Sequence, residues 1–149
     1  MVAFCRPGKD KAIVLPPTFG MYQVCADINN IETINIPLTN IFQLDVDAIL
    51  SAQSATTKMI FIPSPNNPTG NCFERETILS ILKGFNGLVV LDEAYVEFAL
   101  EFSCIDLLER YDNLLIVQSI DGRILSTWKR QSHRSSTHIW NVSSLCRHQ

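Results

Sequence analysis

Residues Leu88-Val89-Val90-Leu91 form a continuous apolar run that is followed at once by Asp92-Glu93-Ala94-Tyr95. An apolar run without polar alternation is typical of a strand buried on both faces of a parallel sheet. A second predicted strand, residues 58–62, leads into the loop Ser64-Pro65-Asn66-Asn67-Pro68-Thr69-Gly70. Because the carboxyl ends of parallel strands share one edge of a sheet, where ligands bind, these two polar segments are expected to lie together.

Strands and helices alternate along residues 1–120. Met21, Val24, Cys25 and Ile28 are spaced as one apolar face of a helix, and Asp45 is a candidate helix cap. The pattern predicts an α/β fold with a mostly parallel sheet and flanking helices. The predicted strands are residues 11–15, 32–38, 58–62, 88–91 and 114–117, and the predicted helices are 21–28, 45–53, 78–85 and 104–111.

Composition limits the classes of function. The chain has 149 residues, 46% of them apolar, which is enough for one domain with a core. The net charge of −3 gives no electrostatic reason to expect nucleic acid or membrane as a partner. Five widely spaced cysteines, with no signal peptide and no apolar run of about 20 residues, predict a soluble cytoplasmic protein.

The polar residues that follow the strands suit the ring of pyridoxal phosphate (PLP). A carboxylate at Asp92 would stabilise a protonated ring nitrogen, and such protonation makes PLP an effective electron sink. The amide of Asn67 and the hydroxyl of Tyr95 could donate to the phenolic oxygen of the ring, and Phe19 could stack on it. Taken singly, Asp92 could be a helix cap or metal ligand, Asn67 a turn residue, Phe19 a core residue and Tyr95 a half-buried helix residue. Their joint order and spacing favour the cofactor site.

Three segments of the chain resemble fold-type I PLP-dependent aminotransferases, and two of them resemble the histidinol-phosphate branch in particular. One segment is Arg6-Pro7-Gly8-Lys9-Asp10 leading to Pro16-Pro17-Thr18-Phe19-Gly20-Met21-Tyr22, and another is Asp92-Glu93-Ala94-Tyr95-Val96-Glu97-Phe98; these are the two that resemble the histidinol-phosphate branch. The remaining segment, Ser64-Pro65-Asn66-Asn67-Pro68-Thr69-Gly70, resembles the aminotransferases broadly.

The resemblance implies a role for each candidate residue. Phe19 matches the aromatic that stacks on PLP, and Asn67 and Tyr95 match the partners of its phenolic oxygen. Asp92 matches the acid at the ring nitrogen. The implied reaction moves an amino group between histidinol phosphate and 2-oxoglutarate in histidine biosynthesis, within a homodimer. An aromatic-amino-acid aminotransferase remains an alternative.

The chain departs from the family after Ile120. The strand there should lead into Ser-Lys, but it leads into Asp121-Gly122-Arg123-Ile124, and Lys129 has a different context. No catalytic residue is therefore assigned, because the Schiff-base lysine expected after Ile120 is absent. Residues 1–120 are predicted to be an incomplete PLP-binding large domain, truncated at both ends. Residues 121–149 are predicted to be a divergent basic tail, disordered or frame-shifted, and the chain alone is predicted to be inactive.

Charge marks the same boundary at residue 120. Residues 1–120 contain 7 Lys and Arg against 14 Asp and Glu, whereas residues 121–149 contain 5 against 1. In this tail, His133, His138, Cys146 and His148 match no zinc spacing, so no metal is expected. Its arginines and tryptophans suggest nucleic acid only weakly.

Two further alternatives concern the whole chain. A nucleotide-binding module would use Asp92-Glu93 as a Walker B segment, but no GxxxxGK[ST] stretch precedes it. A non-catalytic relative could instead act by binding a full-length homologue.

Overall fold

The structure is a computed structural model that describes residues 1, 3–120, 123–128 and 138–141, with Ile120 and the last two ranges described only as strand backbone. The strands in this part of the chain are β1 (Lys11–Val14), β2 (Glu32–Asn35), β3 (Thr57–Pro63), β4 (Leu88–Glu93), β5 (Leu114–Ile120), β6 (Arg123–Trp128) and β7 (His138–Asn141). They form one sheet in the order β2-β1-β3-β4-β5-β6-β7. The pairs from β2 to β5 are parallel, and β5-β6 and β6-β7 are antiparallel.

Three α-helices connect the parallel strands: α1 (Met21–Ile28), α2 (Val46–Ser51) and α3 (Arg75–Gly84). Asp45 caps α2 as predicted, since its side chain accepts a 2.9 Å hydrogen bond from the Ala48 N–H. The segment predicted as a helix at residues 104–111 forms a shorter 3₁₀ helix, Ile105–Glu109. Two more 3₁₀ turns, Val96–Phe98 and Leu100–Phe102, follow β4. The predicted α/β fold with a mostly parallel sheet and flanking helices is confirmed.

The core lies on both faces of the sheet. Successive residues of β4 alternate between the two faces: Val89 and Leu91 pack into the larger cluster, and Leu88 and Val90 into the smaller one. This alternation follows from the two-residue period of a strand. All four side chains are buried, which confirms the prediction from the uninterrupted apolar run.

The buried face of α1 differs from the prediction. Met21, Val24, Cys25 and Ile28 are all exposed, whereas Tyr22 and Ala26 are buried. Helix α1 therefore packs on the sheet through the small side chain of Ala26 and the ring of Tyr22, and turns its more apolar face outward. Apolar periodicity alone selected the wrong face because the buried face carries a phenol that needs a polar partner, and that partner belongs to a distant part of the chain.

Two strands, β6 and β7, lie beyond Ile120, where no strand was predicted from sequence. Asp121, Gly122, Lys129, His133, Cys146 and His148 lie outside the described residues, as do most of the tail's basic residues. The predictions for Lys129, for zinc and nucleic acid, and for a disordered or frame-shifted tail therefore stay predictions. Among the helices that the structure describes, none is both long and apolar enough to cross a membrane.

Candidate functional site

The loops that follow β1, β3 and β4 are joined at the carboxyl edge of the sheet. These three strands are neighbours in the order β1-β3-β4. The Ser64 N–H donates to the Asp92 carbonyl at 2.9 Å, which joins the ends of β3 and β4. Asn66 is buried, and its Nδ2 donates to the Pro17 carbonyl at 3.0 Å. The predicted convergence of the three segments at one edge therefore has a physical basis in these two hydrogen bonds.

The Asp92 carboxylate is half-buried at the end of β4 and receives one hydrogen bond on each oxygen. Oδ2 accepts from the Tyr22 hydroxyl at 2.6 Å, and Oδ1 accepts from the Ala94 N–H at 3.0 Å. Two donors on opposite oxygens fix the plane of the carboxylate. Each oxygen keeps a second lone pair, so the group can still accept from a cationic N–H.

Tyr22 is the site residue that sequence reasoning missed. Its ring is buried, lies parallel to the Phe61 ring with centroids 4.8 Å apart, and meets the Phe19 ring edge-on at 5.7 Å. Burial raises the pKa of the Tyr22 phenol far above its ordinary value, and the neighbouring Asp92 charge raises it further. The phenol therefore stays protonated and acts as a donor. The sequence does contain a clue to this role. Tyr22 and Ala26 are four residues apart and therefore lie on the same side of the helix, which could have been considered as its buried face.

Phe19 lies in the loop between β1 and α1, and its ring is partly exposed. Its contact with Tyr22 is at right angles, with an interplanar angle of 86°. The Phe19 side chain is 42% exposed, so part of its ring surface remains open for a planar ligand to stack on.

Asn67 and Tyr95 line one cavity of about 340 Å³ beside this cluster. Neither side chain makes a hydrogen bond to another residue in the described part of the chain, so an amide and a phenol are both available to a ligand there. The rest of the lining includes apolar and weakly polar groups, among them Pro65, Pro68, Cys72 and Phe98. The structure thus brings two of the predicted partners of a phenolic oxygen to the same cavity.

Two buried oxygens in the same loops, Asn66 Oδ1 and Thr18 Oγ1, have no hydrogen-bond partner among the described residues. A buried polar atom without a partner is costly and is usually satisfied by a ligand or a water molecule. The loops therefore keep polar capacity that the described chain itself does not use. Together with Asp92, Asn67, Tyr95 and the exposed ring surface of Phe19, this donor and acceptor set fits the ring of PLP.

The second acid of the pair, Glu93, has a different environment. It is 1% exposed and accepts three hydrogen bonds, from the Cys104 N–H at 2.7 Å, the Ser103 hydroxyl at 2.9 Å and Gln118 Nε2 at 2.8 Å. Burial, and then the charge of Glu93, raise the pKa of the Cys104 thiol to about 11. Glu93 is therefore a structural anchor, and Asp92 is the acid of the pair that remains available to a ligand.

The lysines of the described chain lie away from this site. Lys11 begins β1 with Lys9 just before it, Lys58 is the second residue of β3, and Lys83 lies in the last turn of α3. Since α3 runs back from the carboxyl edge to the start of β4, all four are at the amino edge of the sheet. A seven-residue strand such as β3 spans about 20 Å. None of these four amines can reach a ring held by Asp92.

Comparison with known proteins is decisive for the family. A family model for aminotransferase class I and II matches residues 1–120. This chain belongs to the class I and II aminotransferases. As an aminotransferase chain, it is 51% identical over 117 residues to the histidinol-phosphate aminotransferase of Cytophaga hutchinsonii, and 53% identical over 117 residues to that of Christiangramia forsetii. These matches cover 78% of this chain and 34% and 33% of the two relatives, so the chain spans about a third of their length.

Solved aminotransferase structures share its fold. The histidinol-phosphate aminotransferase from Clostridium acetobutylicum aligns with a TM-score of 0.69 at 22% identity, over 76% of this chain and 35% of that one. The aspartate aminotransferase from Thermus thermophilus aligns with a TM-score of 0.70 at 25% identity, over 78% and 32%. The predicted resemblance to fold-type I aminotransferases of the histidinol-phosphate branch is thereby confirmed.

Proposed function

We propose that residues 1–120 form the part of an aminotransferase that holds the ring of PLP. The observation that carries the proposal is the Asp92 carboxylate, which Tyr22 and Ala94 fix at the end of β4. Bound PLP supplies an electron sink for reactions at the carbon that bears the amino group. Asp92 holds a proton on the ring nitrogen, because a carboxylate in a partly buried site favours a cation beside it.

The other residues orient the ring. Asn67 and Tyr95, which share one cavity, would donate to the phenolic oxygen and favour its anionic form. Phe19 would stack on the ring and limit the access of water to it. Among residues 1–120, no lysine or arginine other than the Asp106-paired Arg75 lies at this edge. The proposal therefore assigns residues that bind the ring of PLP and assigns none that bind its phosphate.

The finer assignment is a histidinol-phosphate aminotransferase that transfers an amino group between histidinol phosphate and 2-oxoglutarate. It is supported by the identity of about half the aligned residues to relatives of that name. A homodimer and a cytoplasmic location belong to the same proposal. The cytoplasmic location is also supported by Cys5, Cys25, Cys72 and Cys104, which are free thiols.

Catalytic incompetence of this chain is a separate part of the proposal. It is supported by the sequence Ser119-Ile120-Asp121-Gly122 at the end of β5 and by the placement of the four described lysines at the opposite edge. Treatment with PLP and borohydride, followed by peptide mass spectrometry, is expected to leave no stoichiometric pyridoxyl group on any one lysine. A relative from Cytophaga hutchinsonii serves as the positive control. A stoichiometric adduct on Lys129 would overturn this part of the proposal.

Ring binding is tested with pyridoxamine 5′-phosphate, which has no aldehyde and cannot react with surface amines. Fluorescence titration of the full chain is expected to show saturable binding that Asp92→Asn weakens about tenfold, the amount expected for a lost hydrogen bond to a charged group. Asp27→Asn makes the same chemical change on the exposed side of α1 and should leave affinity unchanged. Equal affinities for the wild-type, Asp92→Asn and Asp27→Asn chains would refute the site.

A further inference from the structure

Tyr22 is the only described side chain that donates a hydrogen bond to the Asp92 carboxylate. We infer that Tyr22 is a positioning residue, which sets the orientation of the Asp92 carboxylate toward the ring nitrogen of a bound pyridoxal-type cofactor. The inference rests on the proposed function and adds to it a residue to which sequence reasoning assigned no role.

The first step of the argument is the direction of the hydrogen bond. A carboxylate has only acceptors, so the Tyr22 hydroxyl must donate across the 2.6 Å to Oδ2. The raised pKa of Tyr22 keeps that proton in place over the whole working range of pH. Tyr22 therefore supplies a permanent neutral donor and introduces no charge beside Asp92.

The second step is the rigidity of the donor. The terminal torsion of an aspartate side chain is broad, so a free carboxylate rotates readily. The Tyr22 ring is buried and stacked on Phe61 at an interplanar angle of 11°, so the position of its hydroxyl is fixed by packing. The Ala94 N–H donates to the other oxygen of the carboxylate. Two fixed donors therefore hold the plane of the Asp92 carboxylate in one orientation.

The third step links the two sides of the ring site. Tyr22 also contacts Phe19, the proposed stacking residue, and the two rings meet at right angles. One side chain thus touches both the group proposed to lie over the ring face and the group proposed to meet the ring nitrogen. A tyrosine with a purely structural role would also need an acceptor for its hydroxyl, but any buried acceptor would serve. The acceptor of Tyr22 is Asp92, the acid proposed to bind the ring nitrogen.

The test uses the full chain, Tyr22→Phe, and ¹⁵N-labelled pyridoxamine 5′-phosphate. Tyr22→Phe keeps the ring that stacks on Phe61 and removes only the hydroxyl. Tyr111→Phe makes the same change outside the site and is the matched control. Affinity is measured by titration, and the ¹⁵N chemical shift of the ring nitrogen is measured at saturating ligand, where a loss of affinity no longer affects it. Far-UV circular dichroism checks that each variant is folded.

Tyr22→Phe is expected to weaken binding about tenfold, as for the loss of one hydrogen bond to a charged group. It is also expected to move the ring-nitrogen shift toward that of a neutral pyridine, whereas Tyr111→Phe changes neither quantity. In an Asp92→Asn background, Tyr22→Phe should have little further effect, because Tyr22 acts through Asp92. Phe61→Leu, which loosens the packing of Tyr22 but keeps its hydroxyl, should move the shift in the same direction to a smaller extent.

An unchanged ring-nitrogen shift in both Tyr22→Phe and Phe61→Leu would overturn the inference and leave the ring site intact. A Tyr22→Phe effect of equal size with and without the Asp92 carboxylate would overturn it as well, since Tyr22 would then be a purely structural residue. Absence of binding by the wild-type chain would overturn the proposed function together with this inference. The three results are distinguishable from one another.

Discussion

The backbone N–H of Cys104 donates a 2.7 Å hydrogen bond to Oε1 of the buried Glu93 and so ties the far end of the 94–103 loop to the strand where that loop begins. The Ser103 hydroxyl and Gln118 Nε2 donate to the other oxygen. Glu93 thereby joins β4, β5 and the loop that carries Tyr95. A buried carboxylate with three donors is fully used within the fold.

Removal of the Glu93 carboxylate should destabilise the chain. Glu93→Ala leaves three buried or half-buried donors without an acceptor, and we expect the free energy of unfolding to fall by about 2–4 kcal/mol. Urea denaturation followed by circular dichroism measures the change. Glu97→Ala, on an exposed position of the same loop, should change the free energy by less than about 0.5 kcal/mol.

A paired exchange tests the same contact more sharply. Glu93→Gln turns one acceptor into a donor that faces Gln118, and adding Gln118→Glu restores a donor–acceptor pair. The double variant should be more stable than Glu93→Gln alone. If the double variant were the less stable of the two, the contact between these side chains would not be the source of the effect.

Gly87 should not tolerate a side chain. A Cβ at this position would lie 2.6 Å from the Lys58 carbonyl oxygen of β3 and 2.7 Å from the ring of Phe85. Because a backbone carbonyl in a paired strand cannot move away, Gly87→Ala should cost about 1–3 kcal/mol. A Cβ at Gly20 would meet no atom within 4 Å, so Gly20→Ala should be neutral or stabilise by up to about 1 kcal/mol. Thermal and urea unfolding of the two variants give the comparison.

The outward face of α1 should accept charge. Ile28 is 78% exposed and lies at the carboxyl end of the helix, where a cation is favourable. Ile28→Lys should raise solubility, measured by light scattering, and change stability by less than about 0.5 kcal/mol. Ala26→Lys on the buried face should cost about 3–5 kcal/mol. Similar losses in both variants would contradict the orientation of α1.

Acid stability should depend on Asp10. The Arg6 side chain and N–H both hydrogen-bond its carboxyl, and they hold its pKa well below the ordinary value. A lowered folded-state pKa stabilises the protein above the unfolded-state pKa of about 3.9, and this contribution is lost as the pH falls through and below that value. Asp10→Asn should therefore flatten the pH dependence of the free energy of unfolding below about pH 4.

Arg75→Gln is the control for this prediction. Arg75 pairs with Asp106, but both side chains are substantially exposed, so solvent and salt screen their interaction. This substitution should cost less than Arg6→Gln, measured at the same pH and salt concentration. The reverse order would contradict the distinction between the half-buried and the exposed pair.

In residues 1–120, the structure agrees with the sequence-based prediction wherever a single local principle determines the structure of a segment. The unbroken apolar run Leu88–Leu91 is typical of a buried strand, and Asp45 at the start of α2 has the chemistry of a cap. The position of Phe19, Asn67, Asp92 and Tyr95 at one edge of the sheet could be predicted because each follows a parallel strand. The carboxyl ends of parallel strands bring such residues together whatever the details of the loops.

The remaining features depend on long-range partners. The orientation of α1 was predicted wrongly because the hydroxyl of Tyr22 is satisfied by Asp92, 70 residues away in sequence. The role of Asn66 as the tie to the Pro17 carbonyl, 49 residues away, has the same origin. The helix predicted at residues 104–111 is a shorter 3₁₀ helix, in a segment whose Cys104 N–H is hydrogen-bonded to Glu93. No local pattern could predict these contacts.

Lys9, Lys11, Lys58 and Lys83 all lie at the amino edge of the sheet. At the opposite edge, the side chains of Asp92, Glu97 and Glu101 form none of the ion pairs found among the residues whose side chains the structure describes. Within residues 1–120, these carboxylates oppose the approach of an anionic cofactor to this edge, the reverse of electrostatic steering. Salt should weaken this repulsion, because the Debye length falls from about 30 Å at 0.01 M to about 10 Å at 0.1 M.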